Sequence, residues 1–289
     1  MKNQDRIFKE ITDTIVANLE NAGKWSKPWQ SIGGGDVPQN AISGRPYSGI
    51  NWLILGCAPY ASQQWLTFKQ AVKIGGYVPK GTKGTLITYF QIVKKTDSAG
   101  NETSYPMPKT YTVFNVEQCE NLDMSKIKHF DPSENLSIHD SESAIKELVN
   151  QLKVNLQHGG DTACFIPSVD MIKMPYVNAF NTQAEYDSTL LHELTHWTGH
   201  SSRLNRIKGK SFATKDYAFE ELVAELGSAM AGSMLGLPYE GLQHVEYIAS
   251  WLERLKGDTK YIYEASKLAS KAVNYMIDNA KTIQLDEVA

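Results

Sequence analysis

The stretch TLLHELTHWTGHSSRL, residues 189–204, sets His192, Glu193 and His196 in an HExxH pattern. On an α-helix, residues four apart lie one turn apart on the same face, so two imidazoles can share one cation. Glu193, next to the first histidine, falls beside such a cation, where it can take a proton from a metal-bound water. The segment ahead of the motif is helical in pattern. Thr182, followed three residues later by Glu185, has the spacing of an N-terminal capping box.

Two histidines do not complete a zinc site; a third protein ligand is required. The metzincin pattern HExxHxxGxxH finds its glycine in Gly199, but Ser202 stands where the third histidine belongs, and His200 comes two residues early. A carboxylate from a later helix fits better. In YAFEELVAELGSAMAG, Glu221 and Glu225 lie four apart on one helical face. Buried acids on an apolar helix need a compensating partner, and a metal with its histidines supplies one. Glu221 is then the ligand and Glu225 the group that orients a ligating histidine from behind, with the reverse assignment open and Glu220 a weaker third candidate. The small residues Ser228, Ala229 and Gly232 would let another helix approach closely. The cation expected is Zn2+, with another divalent ion such as Mn2+ as the alternative.

Further out, the chain divides. Residues up to 130 carry 15 Lys and Arg against 10 Asp and Glu, and the remainder 14 against 22. A basic half joined to an acidic half suggests two jobs, the basic one facing a polyanion. The polar, aperiodic run ENLDMSKIKHFDPSENLSIHDSES reads as a junction. The expected organisation is therefore a domain over 1–125, a linker over 126–140 and a second domain over 141–289. The fold class is α+β: a small mixed α+β domain, then a mainly helical domain with a small sheet.

In the first half, TFKQAVKIGG reads as a short helix, and TLITYFQIVKK and KTYTVFNV as strands joined by an exposed hairpin connection. In the second, SAIKELVNQLKVNLQHG reads as one helix, and ACFIPSV and MIKMPYVNAF as strands, the latter an edge strand because of Pro175 and so open to pairing with an extended peptide. Trp25 and Trp29 stand in a glycine- and proline-rich loop beside Lys27; Arg45, Tyr47, Lys80 and Lys83 follow around further glycines. Aromatic faces stack on unpaired bases while lysine and arginine track phosphates, so this set is the candidate surface for single-stranded DNA. Trp52, within INWLIL, reads instead as core.

Cys57, Cys119 and Cys164 form no CxxC pair and no disulfide framework, which points to reduced thiols and a cytoplasmic protein. Charges interrupt every apolar run of the first 23 residues, unlike a signal peptide. INWLILGCAPYA is too short to span a bilayer, so no membrane association is expected.

These features together resemble the ArdC-type antirestriction proteins of conjugative plasmids. The likeness runs over nearly the whole chain. It rests on WSKPW, NAISGRPYSGIN, WLTFKQAVKIGGYVPKGTKGT and FNVEQCE in the first half, and on MPYVNAF, YDSTLLHELTHWTGHSSRLNR and YAFEELVAELGSAM in the second. The resemblance implies an N-terminal single-stranded-DNA-binding domain, a C-terminal zincin-like metallopeptidase domain, and protection of incoming plasmid DNA from host restriction. It implies His192, His196 and Glu221 as ligands and Glu193 as the catalytic acid, with a host restriction-system protein as a candidate target. Two other readings stay open: a dedicated zinc metallopeptidase whose first domain binds protein substrate, and a DNA-binding protein whose metal is purely structural.

Overall fold

The computed structural model describes residues 37–96, 102–131, 141–207, 215–237, 251, 253–258 and 260–286, with positions 9, 12, 13, 16 and 17 near the start. The chain is mixed α and β. The first half builds a four-stranded sheet in the order β1-β2-β4-β3. Strand β1 (Gln39–Asn40) runs parallel to β2 (Gln64–Leu66), and β2 runs antiparallel to β4 (Glu102–Asn115). Strand β3 (Thr85–Thr96) pairs with β4 along its whole length, from Thr85 opposite Val113 to Thr96 opposite Glu102. Strand β4 is longer than the sequence pattern suggests, because it runs through Pro106 and Pro108. Two prolines two residues apart leave the same edge of a strand without donors, which an outer edge tolerates.

Two helices serve this sheet. Helix α1 (Ile50–Gly56) follows Gly49, whose φ of 58° and ψ of −136° suit glycine alone. Helix α2 (Phe68–Lys73) starts at Thr67, whose hydroxyl accepts from Gln70 N while the Gln70 side chain accepts from Thr67 N. It buries Ala71 against Ala41, Leu66, Ile74 and Ile127.

The second half holds a three-stranded sheet and the long helices. Helix α3 (Ser141–Gln151) ends earlier than expected: Lys153 turns the chain at φ 53°, and Asn155–His158 form strand β5 instead of a last helical turn. The order is β5-β7-β6, with β5 parallel and β6 antiparallel to β7. Strand β7 (Met171–Met174) is therefore central, not an edge. Pro175 lies one residue beyond it and costs the ladder nothing, so among the described residues the open edge nearest the HExxH helix belongs to β6 (Cys164–Ile166).

Helix α4 (Gln183–Thr198) packs on this sheet, and α5 (Lys215–Met234) and α6 (Tyr261–Asp286) pack on α4 and on each other around the main core. That core also takes Val37, Ile50, Trp52 and Leu53 from the first half. Helices α4 and α5 lie close because Gly227 faces Thr195; a Cβ on Gly227 would sit 2.5 Å from Thr195 Cγ2. Beside that contact, Ser228 Oγ donates to the Ser188 carbonyl at 2.8 Å. Among the described residues no helix is long and apolar enough to cross a membrane.

Candidate functional site

Helix α4 begins where the capping pattern places it, with Thr182 Oγ1 accepting from Glu185 N at 3.0 Å. The Glu185 carboxylate in turn accepts from Asn181 N and Asn181 Nδ2, one residue ahead of the cap. With its start fixed there, α4 turns His192 and His196 to one buried side, ring centroids 4.7 Å apart. Helix α5 crosses at that level and delivers Glu221, only 3% exposed. His192, His196 and Glu221 each offer a ligand atom, all within 4.8 Å of one another. The two Nε2 atoms are 3.1 Å apart, and each lies 3.4 Å from a Glu221 oxygen. A tetrahedral cation with ligands about 2.0–2.1 Å away separates them by about 3.3 Å. The trio thus has the size of one face of such a coordination shell. This fits a divalent ion of the zinc class, and the two-nitrogen, one-oxygen donor set suits Zn2+ and Mn2+ alike.

Glu193 is buried and is not part of this trio. Its Oε2 accepts the Phe165 backbone N–H at 2.7 Å, which ties the carboxylate to edge strand β6. Behind His196 stands Glu220: the imidazole Nδ1 donates to its Oε1 at 3.3 Å. Arg206 grips Glu220 with Nε at 2.9 Å from Oε2 and NH2 at 2.8 Å from Oε1, and donates further to the Thr195 carbonyl and Thr198 Oγ1. The carboxylate hydrogen-bonded to His196 Nδ1 is thus Glu220. Glu225 lies one turn further along α5, wholly buried. The sequence held a signal for Glu220 in its place beside Glu221, but none for Arg206, which arrives from the loop after α4.

Electrostatics follow from this crowding. Burial alone would lower the His196 pKa, but hydrogen bonds to Glu220 and Glu221 and the nearby carboxylates outweigh it and push it up to about 10. Burial alone would raise Glu221, yet the two histidines hold it far below the ordinary carboxylate range. His200, the metzincin alternative, is not in the cluster; its Nδ1 pairs with Ser202 Oγ at 2.8 Å, and its ring meets the edge of Phe165. Three residues on, Arg203 stacks on Trp197 at 3.8 Å and forms a two-pronged ion pair with Asp170, which pins the turn after α4.

Of the proposed DNA contacts, Arg45, Lys80 and Lys83 are exposed and Tyr47 is half-buried. Trp25, Lys27 and Trp29 lie outside the described residues. Trp52 and Trp65 are buried. The β3–β4 hairpin adds a surface the sequence did not single out: Tyr89 and Tyr111, both exposed, meet edge to face beside Lys109. Alternation along one strand hinted at this face, but only the register of the two strands brings the rings together.

Comparison with known proteins places both halves. Residues 5–114 match the N-terminal domain of anti-restriction factor ArdC, and residues 143–268 match the zincin-like metallopeptidases. The metal-free crystal structure of the antirestriction ArdC protein from plasmid R388 is similar, at 33% identity and a TM-score of 0.79, covering 95% of this chain and 98% of that one. Its Mn(II)-bound form aligns with a TM-score of 0.78. The protein y4eC of Sinorhizobium fredii is 30% identical over 98% of this chain and 95% of its own length. A DNA primase TraC of Escherichia coli is 31% identical over 93% of this chain, but the chain spans only 27% of that primase.

Proposed function

The chain belongs to the ArdC family of antirestriction proteins, and from that premise we propose that it binds single-stranded DNA entering during conjugation and carries a divalent-metal peptidase site that helps shield that DNA from host restriction. The observation that supports the peptidase reading is the buried trio of His192, His196 and Glu221 with Glu193 anchored at its side. His192, His196 and Glu221 would hold the ion, Zn2+ or Mn2+. A bound ion of this kind supplies Lewis acidity, polarising a carbonyl and acidifying water. Glu193 takes the proton of the attacking water and passes it to the leaving amine; its bond from Phe165 N–H keeps the carboxylate in position for both transfers. The Glu220–Arg206 pair holds the His196 ring in its ligating orientation. The open edge of β6, next to Glu193, offers main-chain groups to an extended peptide. The target of that peptidase is a protein of the host restriction system.

The test couples Glu193→Gln with transfer of an unmodified plasmid into a restricting recipient. The variant keeps its metal, measured by elemental analysis, and loses cleavage and protection together. Protection that survives at full strength removes proteolysis from the mechanism. Gel shifts with single- and double-stranded oligonucleotides test the DNA half, and equal affinity for both refutes it.

A further inference from the structure

Residues 37–96 contain no aspartate or glutamate, against Arg45 and six lysines. Residues 103–116, which supply nearly all of β4, also lack acids and add Lys109. Glu102 stands at the far end of the β3–β4 hairpin and is paired with Lys94 at 3.6 Å. Paired residues of an antiparallel ladder share a face, and successive residues of a strand alternate between faces. The register therefore puts Ile87, Tyr89, Lys109, Tyr111 and Val113 on one face of the hairpin and Ile92 on the other. At the base of the first face, Ile87 and Val113 are buried with Leu55 and Trp65, and half-buried Tyr47 packs on that cluster. Beside this base the cover ends. Tyr89 is 58% exposed and Tyr111 47%, their rings edge to face with centroids 6.5 Å apart. Lys109 is exposed directly opposite Tyr89. Two large rings held in water on an anchored sheet are best covered by a planar partner, and the lysine beside them selects an anionic one.

We propose that a single strand lies on this face of the hairpin, with unpaired bases stacked on Tyr89 and Tyr111 and an adjoining phosphate held by Lys109. The inference rests on the single-strand-binding reading above and gives it a place. Bases of a duplex are already stacked on both sides, so the rings select unpaired ones. Neither ring stacking nor a lysine–phosphate contact reads base identity, so the face takes strands of any sequence. An extended peptide would use the backbone edge of the arm instead. On β4 that edge carries Pro106 and Pro108, which offer no donors to an added strand.

The test measures binding of the full chain to a fluorescein-labelled oligothymidine by anisotropy. Tyr89→Ala and Tyr111→Ala each lower affinity about tenfold or more, with the fold intact by circular dichroism. Tyr89→Phe and Tyr111→Phe keep the rings and most of the affinity. Lys109→Gln gives a severalfold loss and flattens the salt dependence by about 0.7 in the logarithmic slope. Ile92→Ala, on the opposite face, binds as the wild type does. An oligonucleotide of abasic sites, with phosphates but no bases, binds the wild type and Tyr89→Ala equally. Losses in the phenylalanine variants as large as in the alanine variants point to the hydroxyls and overturn stacking. A loss in Ile92→Ala equal to that in Tyr89→Ala overturns the assignment of the face. Alanine variants that bind the strand as the wild type does overturn the site and leave the single-strand reading standing. A wild type that dimerises in sedimentation, and comes apart with Tyr89→Ala at unchanged DNA affinity, assigns the face to a second copy and overturns the proposal. Absence of single-strand binding by the wild type overturns the reading on which it rests.

Discussion

Among single residues, Glu220 shows how the proposed ligand His196 is held. A carboxylate behind a ligating imidazole fixes its orientation and raises its basicity, and losing such a group typically lowers metal affinity 10- to 100-fold. Glu220→Gln is expected to weaken zinc binding by that factor in a chelator competition; unchanged affinity would mean that Glu220 serves only Arg206. His196 sets the pH dependence. Its pKa of about 10 in the metal-free protein means that it carries a proton through the neutral range, and only the neutral imidazole ligates. The proton must leave when metal enters, so affinity rises with pH, by up to about tenfold per unit, until pH passes that pKa. Calorimetry in two buffers of different ionisation enthalpy should find about one proton released per ion bound near neutrality; none released contradicts a charged His196. The histidine pair was legible in the sequence because i, i+4 spacing needs only a helix. Arg206 was not, since its approach depends on a loop path that no periodicity encodes.

At the scale of elements, the site depends on how closely α4 and α5 cross. Gly227 leaves space for the Thr195 side chain, and a methyl group there would overlap it at 2.5 Å. Gly227→Ala should therefore destabilise the fold by roughly 1–3 kcal/mol, the usual range for overpacking, despite alanine's better helix propensity. Because Glu221 rides on α5 six residues earlier, zinc affinity should fall with it. A melting curve and a metal titration on the same variant check both effects; a stabilised variant would show that propensity wins over the clash. The sequence revealed the small residues of α5 and the start of α4, since cap and composition are local signals. It misled at α3, where a non-glycine residue takes a left-handed turn at Lys153, and at β7, where Pro175 lies just past the strand rather than within it. Sheet order is set by contacts distant in sequence, so edge and centre could not be told apart from local pattern.

Across the whole molecule, the seven residues of α1 join the halves. Asn51 Nδ2 donates to the Thr88 carbonyl and its Oδ1 accepts from Thr88 N, fastening the helix to β3. Leu55 packs with Trp65, Ile87 and Val113 on the first sheet. Ile50, Trp52 and Leu53 enter the core of the second half, where Gly49 N donates to Ser270 Oγ of α6 at 2.6 Å. Burying a large apolar side chain contributes about 1.5–3 kcal/mol, so those three together supply several kcal/mol. That is a large fraction of the roughly 5–15 kcal/mol by which a domain is stable. A polar junction near residue 130 is thus a break in the chain's surface more than in its core. A fragment beginning at Ser141 should melt at a markedly lower temperature than the full chain and bind a hydrophobic dye, because the bed of α1 is laid open. Adding Trp52→Ala to the full chain should reproduce part of that loss, by roughly 3–5 kcal/mol in denaturant titration. If the fragment instead melts as the full chain does and binds zinc as tightly, α1 is only a passenger on the second half.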